Sequence, residues 1–379
     1  MNMGKQARLI YGSTEPRGEA ANMDLRWRIG MALPDPHLFL EHDGERLLLA
    51  SSLEFTRAKQ EAQRCRVESQ ESYFERAEER TLAALLKTWC AAHGVDTLEV
   101  HPETHCDLVE KLREKGIAVV VGKVPWYPER VIKTEEEIRW IQEVQRSVEE
   151  VLGDVKRWLG QATIHKGLIW KAGEAVTSEM VRQFIKKGLF VRGCVAEHTI
   201  VSSGVAAARP HEVGSGALRA YAPIIFDIFP YSTDTGYYAD MTRTFFKGEP
   251  SFRLKRLYDT VRTGQEIGIG MVRAGIDGSN IHKNIFQFFE LHGYKTDFVK
   301  GSGFIHGTGH GLGLQYHEPP SISRAPCVLR EGAVVTVEPG LYYPDEEVGI
   351  RIEDMVVVEN GGCRNLTQFP KGLNDVVIL

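Results

Sequence analysis

The sequence has no paired-cysteine motif, no long apolar run and no dense block of basic residues. Its six cysteines are scattered, and a chain of this size does not depend on disulfide bonds, so we expect reduced thiols; a surface disulfide is the alternative. With a net charge of -5 and no basic block, nucleic acid is not an expected partner. The longest apolar runs, such as 117–121, have the length of a strand, so we expect neither a signal peptide nor a membrane span, and a cytoplasmic location.

What the sequence does have is an average globular composition, with 42% hydrophobic and 26% charged residues. This composition excludes the disordered and fibrous classes. A chain of 379 residues exceeds what one hydrophobic core usually supports, so we expect two domains. Pro125 and Pro128 interrupt both a helix and a central strand. We therefore place the boundary there, with domains at residues 1–128 and 129–379.

The first predicted domain mixes short strands with helices. Asp43 and Gly44, between two apolar runs, form the sequence that a tight hairpin turn prefers. Two helices are each closed by a glycine, and each is followed by a short strand. The predicted helices cover 82–92 and 107–115, and the predicted strands cover 97–100 and 117–121. The fold class is therefore predicted to be mixed α/β (α+β).

The second predicted domain opens with a long amphipathic helix. Thr134 and Glu137 form a capping-box signature, and apolar residues recur at helical spacing from Ile138 onward. A weak repeat of element order follows, with helices before strand hairpins over 134–247 and again over 253–358. Each predicted hairpin carries acidic residues in the middle of its strands.

Four acidic residues stand among apolar or β-branched neighbours on these strands: Asp227, Asp240, Glu338 and Glu353. An unpaired carboxylate on a buried strand costs several kcal/mol. Any one of them could be a structural acid in a salt bridge, because Arg243 and Arg351 lie near two of them in sequence. Four clustered anions would repel strongly, whereas two divalent cations would neutralise them. The pattern therefore favours a dinuclear metal site.

A glycine-rich segment, HGTGHGLGLQYHE, offers a further ligand among His306, His310 and His317. Its glycines are too frequent for a packed helix or strand. A phosphate-binding loop is the alternative, but the segment lacks the Lys and Ser/Thr that follow the glycines of such a loop. The glycines would instead let the backbone close up, so that a histidine points at a neighbouring strand.

Between 203 and 356 the chain resembles the metallopeptidases of the pita-bread fold. This family comprises aminopeptidase P, prolidase and methionine aminopeptidase, with creatinase as a metal-free relative. The matching motifs, in order, are SGVAAARPHE, ADMTRTF, HGTGHGLGLQYHE, TVEPG and GIRIED. The first 128 residues resemble the creatinase-type N-terminal domain, which favours the proline-peptide branch. The resemblance implies a C-terminal pita-bread domain with a pseudo-twofold antiparallel sheet flanked by helices.

The resemblance also implies a role for each candidate residue. It makes Asp227 a terminal ligand of one metal, His310 and Glu338 ligands of the other, and Asp240 and Glu353 the bridging ligands. It places His211 near the scissile bond and lets His317 steady the tetrahedral intermediate. The predicted catalytic residues are Glu338, His211 and His317. The predicted substrate-binding residues are His306, His211 and Arg351, and the resemblance implies that His306 forms a wall of the substrate pocket.

One departure concerns the first hairpin. The family usually has a glycine two places after the first aspartate, where this chain has Phe229. The spacing from Asp227 to Asp240, at 13 residues, is two longer than is usual in the family. The pocket rim at 230–237 is therefore expected to differ, and Asp234 is an alternative ligand.

The predicted function is a dinuclear metal-dependent exopeptidase that hydrolyses Xaa-Pro bonds, as an aminopeptidase or a dipeptidase. A metal-bridging hydroxide would attack the carbonyl, and Glu338 would shuttle the proton. The resemblance favours manganese and a homodimer, while oxygen-rich ligation also suits cobalt, zinc or iron. The alternatives are an inactive relative that binds peptides or proteins, and a creatinase-like, metal-free C-N hydrolase.

Overall fold

In the computed structural model, which describes residues 5–16 and 18–379, the chain divides into two compact units, Met1–Arg130 and Val131–Leu379. The predicted domain boundary, between 128 and 129, falls beside this division. Within the described residues, every helix is too short or too polar to cross a bilayer. All six cysteines are free thiols.

The first unit contains one mixed six-stranded sheet of order β4-β3-β2-β1-β5-β6. Its strands are β1 (Lys5–Gly12), β2 (His37–His42), β3 (Glu45–Ala50), β4 (Arg66–Ser69), β5 (Val95–Val100) and β6 (Ala118–Val121). Its helices are α1 (Met23–Ile29), α2 (Phe55–Glu61), α3 (Glu71–Phe74), α4 (Leu82–His93) and α5 (Cys106–Glu114). The mixed α/β composition predicted for this part of the chain is confirmed.

The turns and helix ends of this unit follow from local sequence. Asp43 and Gly44 both have positive φ, at 50° and 80°, and join β2 to β3 as the predicted hairpin. Thr81 caps α4 by accepting a hydrogen bond from the Ala84 N–H, and Gly94 ends the helix in the left-handed conformation. The predicted helices over 82–92 and 107–115 are both found, with ends shifted by one residue.

Alternating side chains on the strands build two hydrophobic clusters, one on each face of the sheet. Leu9 packs with residues of α4 and α5, whereas its neighbour Ile10 packs with residues of α1 and α2. A fully buried side chain of this kind stabilises the fold by roughly 1.5–3 kcal/mol. The first unit is therefore a sheet covered by helices on both faces.

The second unit has longer helices and several small sheets. Its helices are α6 (Glu135–Gly160), α7 (Ser178–Phe190), α8 (Phe252–Met271), α9 (Gly278–Leu291) and α10 (Leu373–Val376). Its strands are β7 (Thr163–His165), β8 (Leu168–Lys171), β9 (Glu174–Ala175), β10 (Cys194–Val195), β11 (Ile200–Ser203), β12 (Pro223–Ile228), β13 (Tyr231–Ser232), β14 (Met241–Lys247), β15 (Gly309–Gly311), β16 (Glu318–Ile322), β17 (Val334–Val337), β18 (Gly340–Tyr343), β19 (Val348–Arg351), β20 (Asp354–Val358), β21 (Cys363–Asn365) and β22 (Val377–Ile378).

The capping box at the start of α6 is confirmed. The Thr134 hydroxyl accepts from the Glu137 N–H at 3.2 Å, and the Glu137 carboxylate accepts from the Thr134 N–H at 2.7 Å. These two bonds satisfy donors that a helix start leaves free. The apolar stripe that begins at Ile138 is buried along the helix, as its spacing predicted.

Two sheets position the four predicted acidic residues. One has the order β11-β12-β14-β22 and the other β16-β15-β17-β20-β21. In the first, β12 and β14 pair antiparallel with Asp227 opposite Thr242, and in the second, β17 and β20 pair with Val337 opposite Asp354. The Glu353 N–H donates to the Thr242 carbonyl at 3.0 Å, so the two sheets meet at the acidic residues.

The predicted mid-strand position is correct for Asp227 and wrong for the other three acids. Asp240 directly precedes β14, Glu338 lies between β17 and β18, and Glu353 lies between β19 and β20. The apolar runs around them look continuous in sequence, but each strand breaks at the acid. A side chain at such a break leaves the alternating pattern of the strand, so carboxylates from different strands can converge.

Candidate metal centre

Three of the five predicted ligands form one group. Asp240, His310 and Glu353 each offer a ligand atom, and these atoms all lie within 4.8 Å of one another. Glu338 joins them, since its Oε1 is 3.3 Å from His310 Nε2, and Asp240 Oδ2 is 3.8 Å from the same nitrogen. Asp227 is near enough for its charge to raise the pKa of both Asp240 and Glu353. The site therefore combines four carboxylates with one imidazole.

The electrostatics of this cluster are strained. Burial raises the pKa of Asp240 well above its usual range, and the Glu353, Asp227 and Glu338 carboxylates raise it further. Burial, with Glu338 and Asp227, raises the pKa of Glu353 to about 8. Both shifts mean that the cluster disfavours its own negative charge. A cation among these side chains would remove that cost.

Two buried oxygens of the cluster fit this interpretation. Among the described residues, Asp240 Oδ1 and Glu353 Oε1 make no hydrogen bond, although both side chains are almost completely buried. Buried carboxylate oxygens are normally hydrogen-bonded or bound to metal. The orphaned oxygens, together with an oxygen-rich donor set that includes one imidazole, fit divalent metal ions.

His310 is oriented by its own backbone. Its Nδ1 donates to the Gly311 carbonyl at 3.2 Å, and its Nε2 faces Glu338 Oε1 at 3.3 Å. Burial would lower the pKa of His310, but the Glu338 and Glu353 carboxylates raise it. Burial would raise the pKa of Glu338, but the hydrogen bond and charge of His310 lower it to about 2.

The glycines around His310 allow a close backbone approach. A Cβ at Gly309 would lie 1.9 Å from the Thr336 carbonyl oxygen, and one at Gly311 would lie 2.4 Å from the Pro319 oxygen. Gly309–Gly311 is a short strand, β15, that pairs with β16 and β17. The expectation that this segment forms no strand is therefore wrong. Glycine disfavours an isolated strand, but here it lets a strand fit between two others.

The remaining predicted histidines lie near the acidic cluster. The His317 ring is 4.0 Å from the His310 ring, centroid to centroid, and His306 Nε2 is 3.2 Å from the Tyr342 hydroxyl. Burial lowers the pKa of His306, and it lowers that of His317 to about 4 together with the nearby His310. Exposed His211 contributes to both shifts, so it lies near His306 and His317.

Arg351, predicted to bind substrate, is 4% exposed and bonds to protein groups. It donates to Asp227 Oδ2 and to the Tyr342 hydroxyl, both at 2.6 Å. Its Nε donates to the Thr242 hydroxyl at 3.2 Å, and that hydroxyl donates to Glu353 Oε2 at 2.8 Å. Thr242 and Tyr342 are site residues that sequence reasoning missed.

Arg243, which the sequence offered as a salt-bridge partner for one of the four acids, pairs with Asp354 instead. It is fully buried and donates to the Glu353 carbonyl at 2.6 Å and to Asp354 Oδ1 at 2.8 Å. It thereby fixes the backbone that carries Glu353. The sequence signal for this role is a basic residue between two threonines, on the strand that begins directly after Asp240. The alternative ligand, Asp234, lies outside the cluster on an exposed turn.

Known proteins share both the sequence and the fold. The chain is 39% identical over 176 residues to the uncharacterized peptidase YqhT of Bacillus subtilis, covering 46% of this chain and 47% of that protein. The alignment thus spans about half the length of this relative. The chain is 28% identical to the Xaa-Pro dipeptidase of Pyrococcus furiosus, covering 74% of this chain and 76% of that protein.

A solved structure, the X-Pro aminopeptidase of Thermotoga maritima, superposes with a TM-score of 0.81 at 25% identity, covering 99% of this chain and 98% of that one. The predicted pita-bread fold is confirmed, and the names of these relatives support the predicted metallo-exopeptidase. The model of metallopeptidase family M24 matches residues 139–360. The matched residues make up more than half of the chain, so the chain belongs to the metallopeptidase family M24.

Proposed function

We propose that the chain is a dinuclear metal-dependent exopeptidase that hydrolyses Xaa-Pro peptide bonds. The observation that carries the proposal is the convergence of Asp240, Glu338, Glu353 and His310, with two buried carboxylate oxygens that make no hydrogen bond. The Xaa-Pro dipeptidase and X-Pro aminopeptidase among the relatives support the choice of substrate.

The five ligand-type residues would hold the two metals. As the family resemblance implies, Asp227 would serve one ion, His310 and Glu338 would serve the other, and Asp240 and Glu353 would serve both. Manganese is the first candidate, with cobalt, zinc or iron as alternatives. When bound, such ions polarise a peptide carbonyl and lower the pKa of a water molecule from about 15.7 towards neutrality.

The protein's own groups complete the reaction. Glu338, which lies 3.3 Å from His310, accepts a proton from the attacking water and passes it to the leaving amine. His211 and His317 donate hydrogen bonds to the oxyanion, a contribution typically of a few kcal/mol. His306, held by the Tyr342 hydroxyl, forms a wall of the substrate pocket.

The test starts from protein stripped of metal with a chelator. Manganese, cobalt, zinc and iron are added back in separate samples, and hydrolysis of Ala-Pro is compared with that of Ala-Pro-Ala and of Ala-Ala. We expect metal-dependent cleavage before proline, and the preferred length separates a dipeptidase from an aminopeptidase. Activity that survives complete metal removal, or no cleavage of either proline peptide with any of the four metals, contradicts the proposal.

A matched pair of variants distinguishes the loss of a carboxylate at the site from the loss of a negative charge elsewhere in the chain. Glu353→Gln removes a proposed bridging carboxylate, whereas Glu359→Gln changes an exposed glutamate six residues away. We expect the first to abolish activity and metal uptake and the second to retain both. Metal content near zero in the unaltered protein would instead favour the alternative of a binding module or a metal-free hydrolase.

We also propose the domain roles, the location and the oligomeric state of the enzyme. Residues 1–128 are a creatinase-type domain, residues 129–379 are the catalytic domain, and the protein is a cytoplasmic homodimer whose substrate is a peptide. The family resemblance supports these assignments. Light scattering at micromolar concentration tests the dimer, and a monomer there contradicts it.

A further inference from the structure

An aromatic cluster adjoins the metal centre where the chain departs from its family. Its members, which we call the aromatic wall, are Phe229, Tyr231, Tyr238 and Tyr316. Phe229 stands where the family usually has glycine. Its ring lies 5.6 Å from that of Tyr316, whose ring lies 5.8 Å from that of Tyr238; Tyr238 and Tyr231 are 5.2 Å apart, all centroid to centroid.

The wall is continuous with the histidines of the site. Tyr316 is followed by His317, and their ring centroids are 4.8 Å apart. The His317 ring is in turn 4.0 Å from the ring of His310, a proposed metal ligand. An unbroken row of rings therefore leads from the metal centre to Phe229.

Phe229 directly follows β12, the strand that carries Asp227. Asp227 and Phe229 are both half-buried, whereas Ile228 and Pro230 are buried. Residues two apart along a chain lie at most about 6.6 Å from each other. Phe229 is the first residue after β12, so it lies close to Asp227, and its contact with Tyr316 sets its ring beside the histidine-bearing segment.

The segment behind the wall is held in place. The Tyr238 N–H donates to the Gly313 carbonyl at 2.8 Å, which joins the hairpin to the histidine-bearing segment. The Ala239 N–H donates to the Pro230 carbonyl at 3.0 Å, closing the hairpin at its base. A wall fixed in this way binds a ligand without first being ordered.

We propose that Phe229 and Tyr316 form the pocket for the side chain of the substrate's N-terminal residue, with preference for a large apolar or aromatic side chain. This inference rests on the proposed function. The free amino group of an exopeptidase substrate needs a negatively charged or metal-bearing partner, and Asp227 is the carboxylate nearest to Phe229 along the chain. The side chain of that same substrate residue then lies within reach of the Phe229 ring.

The preference for apolar side chains follows from the exposure of the wall. Tyr316 is 39% exposed and Phe229 is half-buried, so both offer aromatic surface to a ligand. Covering such surface with an apolar side chain is favourable, and aromatic rings add a preference for tilted or offset stacking. Glycine or alanine at the first substrate position would leave this surface in contact with water.

The experiment measures kcat and KM for Gly-Pro-Ala, Ala-Pro-Ala, Leu-Pro-Ala and Phe-Pro-Ala, and for the corresponding dipeptides. Phe229→Ala should lower kcat/KM for the Leu and Phe peptides by about tenfold or more, mainly through KM, because the contact exists in both bound substrate and transition state. The Gly and Ala peptides should change by less than about twofold. Phe229→Leu keeps apolar surface and should retain most of the preference.

Phe190→Ala is the control, because Phe190 is 73% exposed on the last turn of α7; it should leave the profile unchanged. An equal loss on all four peptides, or faster cleavage of the Phe peptide by Phe229→Ala, overturns the inference. If Phe229→Ala does not fold, Tyr316→Ala is measured with the same expectation. Cleavage of Ala-Pro-Ala by the unaltered protein without preference among the four peptides refutes the pocket alone, whereas no cleavage of any Xaa-Pro peptide refutes the proposed function as well.

Discussion

Arg351 donates a hydrogen bond of 2.6 Å to Asp227, and the guanidinium is almost completely buried. Through Thr242, which accepts from Arg351 and donates to Glu353, the same guanidinium is linked to a second carboxylate of the site. Groups that orient metal ligands influence the metal nearly as strongly as the ligands do. Arg351 therefore positions two carboxylates of the proposed metal centre.

The first prediction concerns Arg351→Lys. Lysine keeps the charge but lacks the planar fork that reaches Asp227, Tyr342 and Thr242 together. We expect manganese affinity to fall about 10–100-fold, measured by calorimetric titration of chelator-treated protein. Arg256→Lys, at an exposed arginine of α8, should bind manganese normally. Unchanged affinity with a raised KM for Ala-Pro would instead identify Arg351 as a substrate-binding residue, as the sequence predicted.

The second prediction concerns Asp240→Asn and metal-dependent stability. Burial and neighbouring carboxylates raise the pKa of Asp240, so replacing this group by a neutral amide of the same shape should leave the metal-free fold intact. Metal at about 100 times its Kd stabilises a site by about 2.7 kcal/mol. We expect manganese to raise the thermal midpoint of the unaltered protein and not that of the variant.

Asp234→Asn is the control for this measurement, because Asp234 is an exposed aspartate that the sequence left open as a ligand. It should retain the full response to manganese. A lost response in Asp234→Asn, with a normal one in Asp240→Asn, would exchange the roles of the two aspartates.

The third prediction concerns a buried ion pair behind the histidine-bearing segment. Lys133 Nζ lies 2.6 Å from Glu318 Oε1, both side chains are 2% exposed, and Glu318 directly follows His317. Lys133→Met removes the ammonium from a buried carboxylate, which typically costs about 3–5 kcal/mol. The double variant Lys133→Met, Glu318→Gln removes both charges and should be less destabilised, as measured by urea unfolding.

Lys111→Met tests an exposed pair of similar length, since Lys111 Nζ is 2.7 Å from Asp107. Water and salt screen this pair, so the urea midpoint should not move. If Lys133→Met and the double variant are equally destabilised, the two buried charges are not coupled and the prediction fails.

The sequence predicted features that depend on local chemistry. Thr134 and Glu137, three residues apart, satisfy the free N–H groups at the start of α6. Asp43 and Gly44 adopt the positive φ values that their turn requires. Neither feature needs a partner that is distant in sequence. The gathering of acidic residues was also predictable, because a buried carboxylate needs compensation wherever the fold places it. A rule about charge therefore predicted the cluster of acids before its geometry was known.

The supporting bonds were not predictable, because they join residues that are far apart in the chain. Thr242 and Glu353 are separated by 111 positions and Arg351 and Asp227 by 124, and no local pattern encodes such pairs. Likewise, the sequence around Glu338 does not show whether a strand ends there or continues through it. Tertiary pairing decides where each strand ends.

In the first unit, Asp24 is held by two basic partners. His101 Nε2 is 3.0 Å from one carboxylate oxygen, and Arg130 donates to the other at 2.7 Å. Burial would raise the pKa of Asp24, but His101 and Arg130 lower it below its ordinary value of 3.8. A depressed carboxyl pKa contributes stability that is present above the ordinary value and is lost as the pH falls through the folded-state pKa.

The fourth prediction is that Asp24→Asn destabilises the protein at pH 7 by about 1–3 kcal/mol, and that the difference shrinks as the pH falls below about 4. The asparagine keeps a carbonyl acceptor but cannot ionise, so only the unaltered protein loses stability through this titration. Urea unfolding from pH 7 to pH 2.5 measures both. Asp107→Asn changes an aspartate whose side chain is 72% exposed and should follow the unaltered protein throughout. A difference for Asp24→Asn that stays constant down to pH 2.5 would show that its effect is steric, with no contribution from the carboxylate charge.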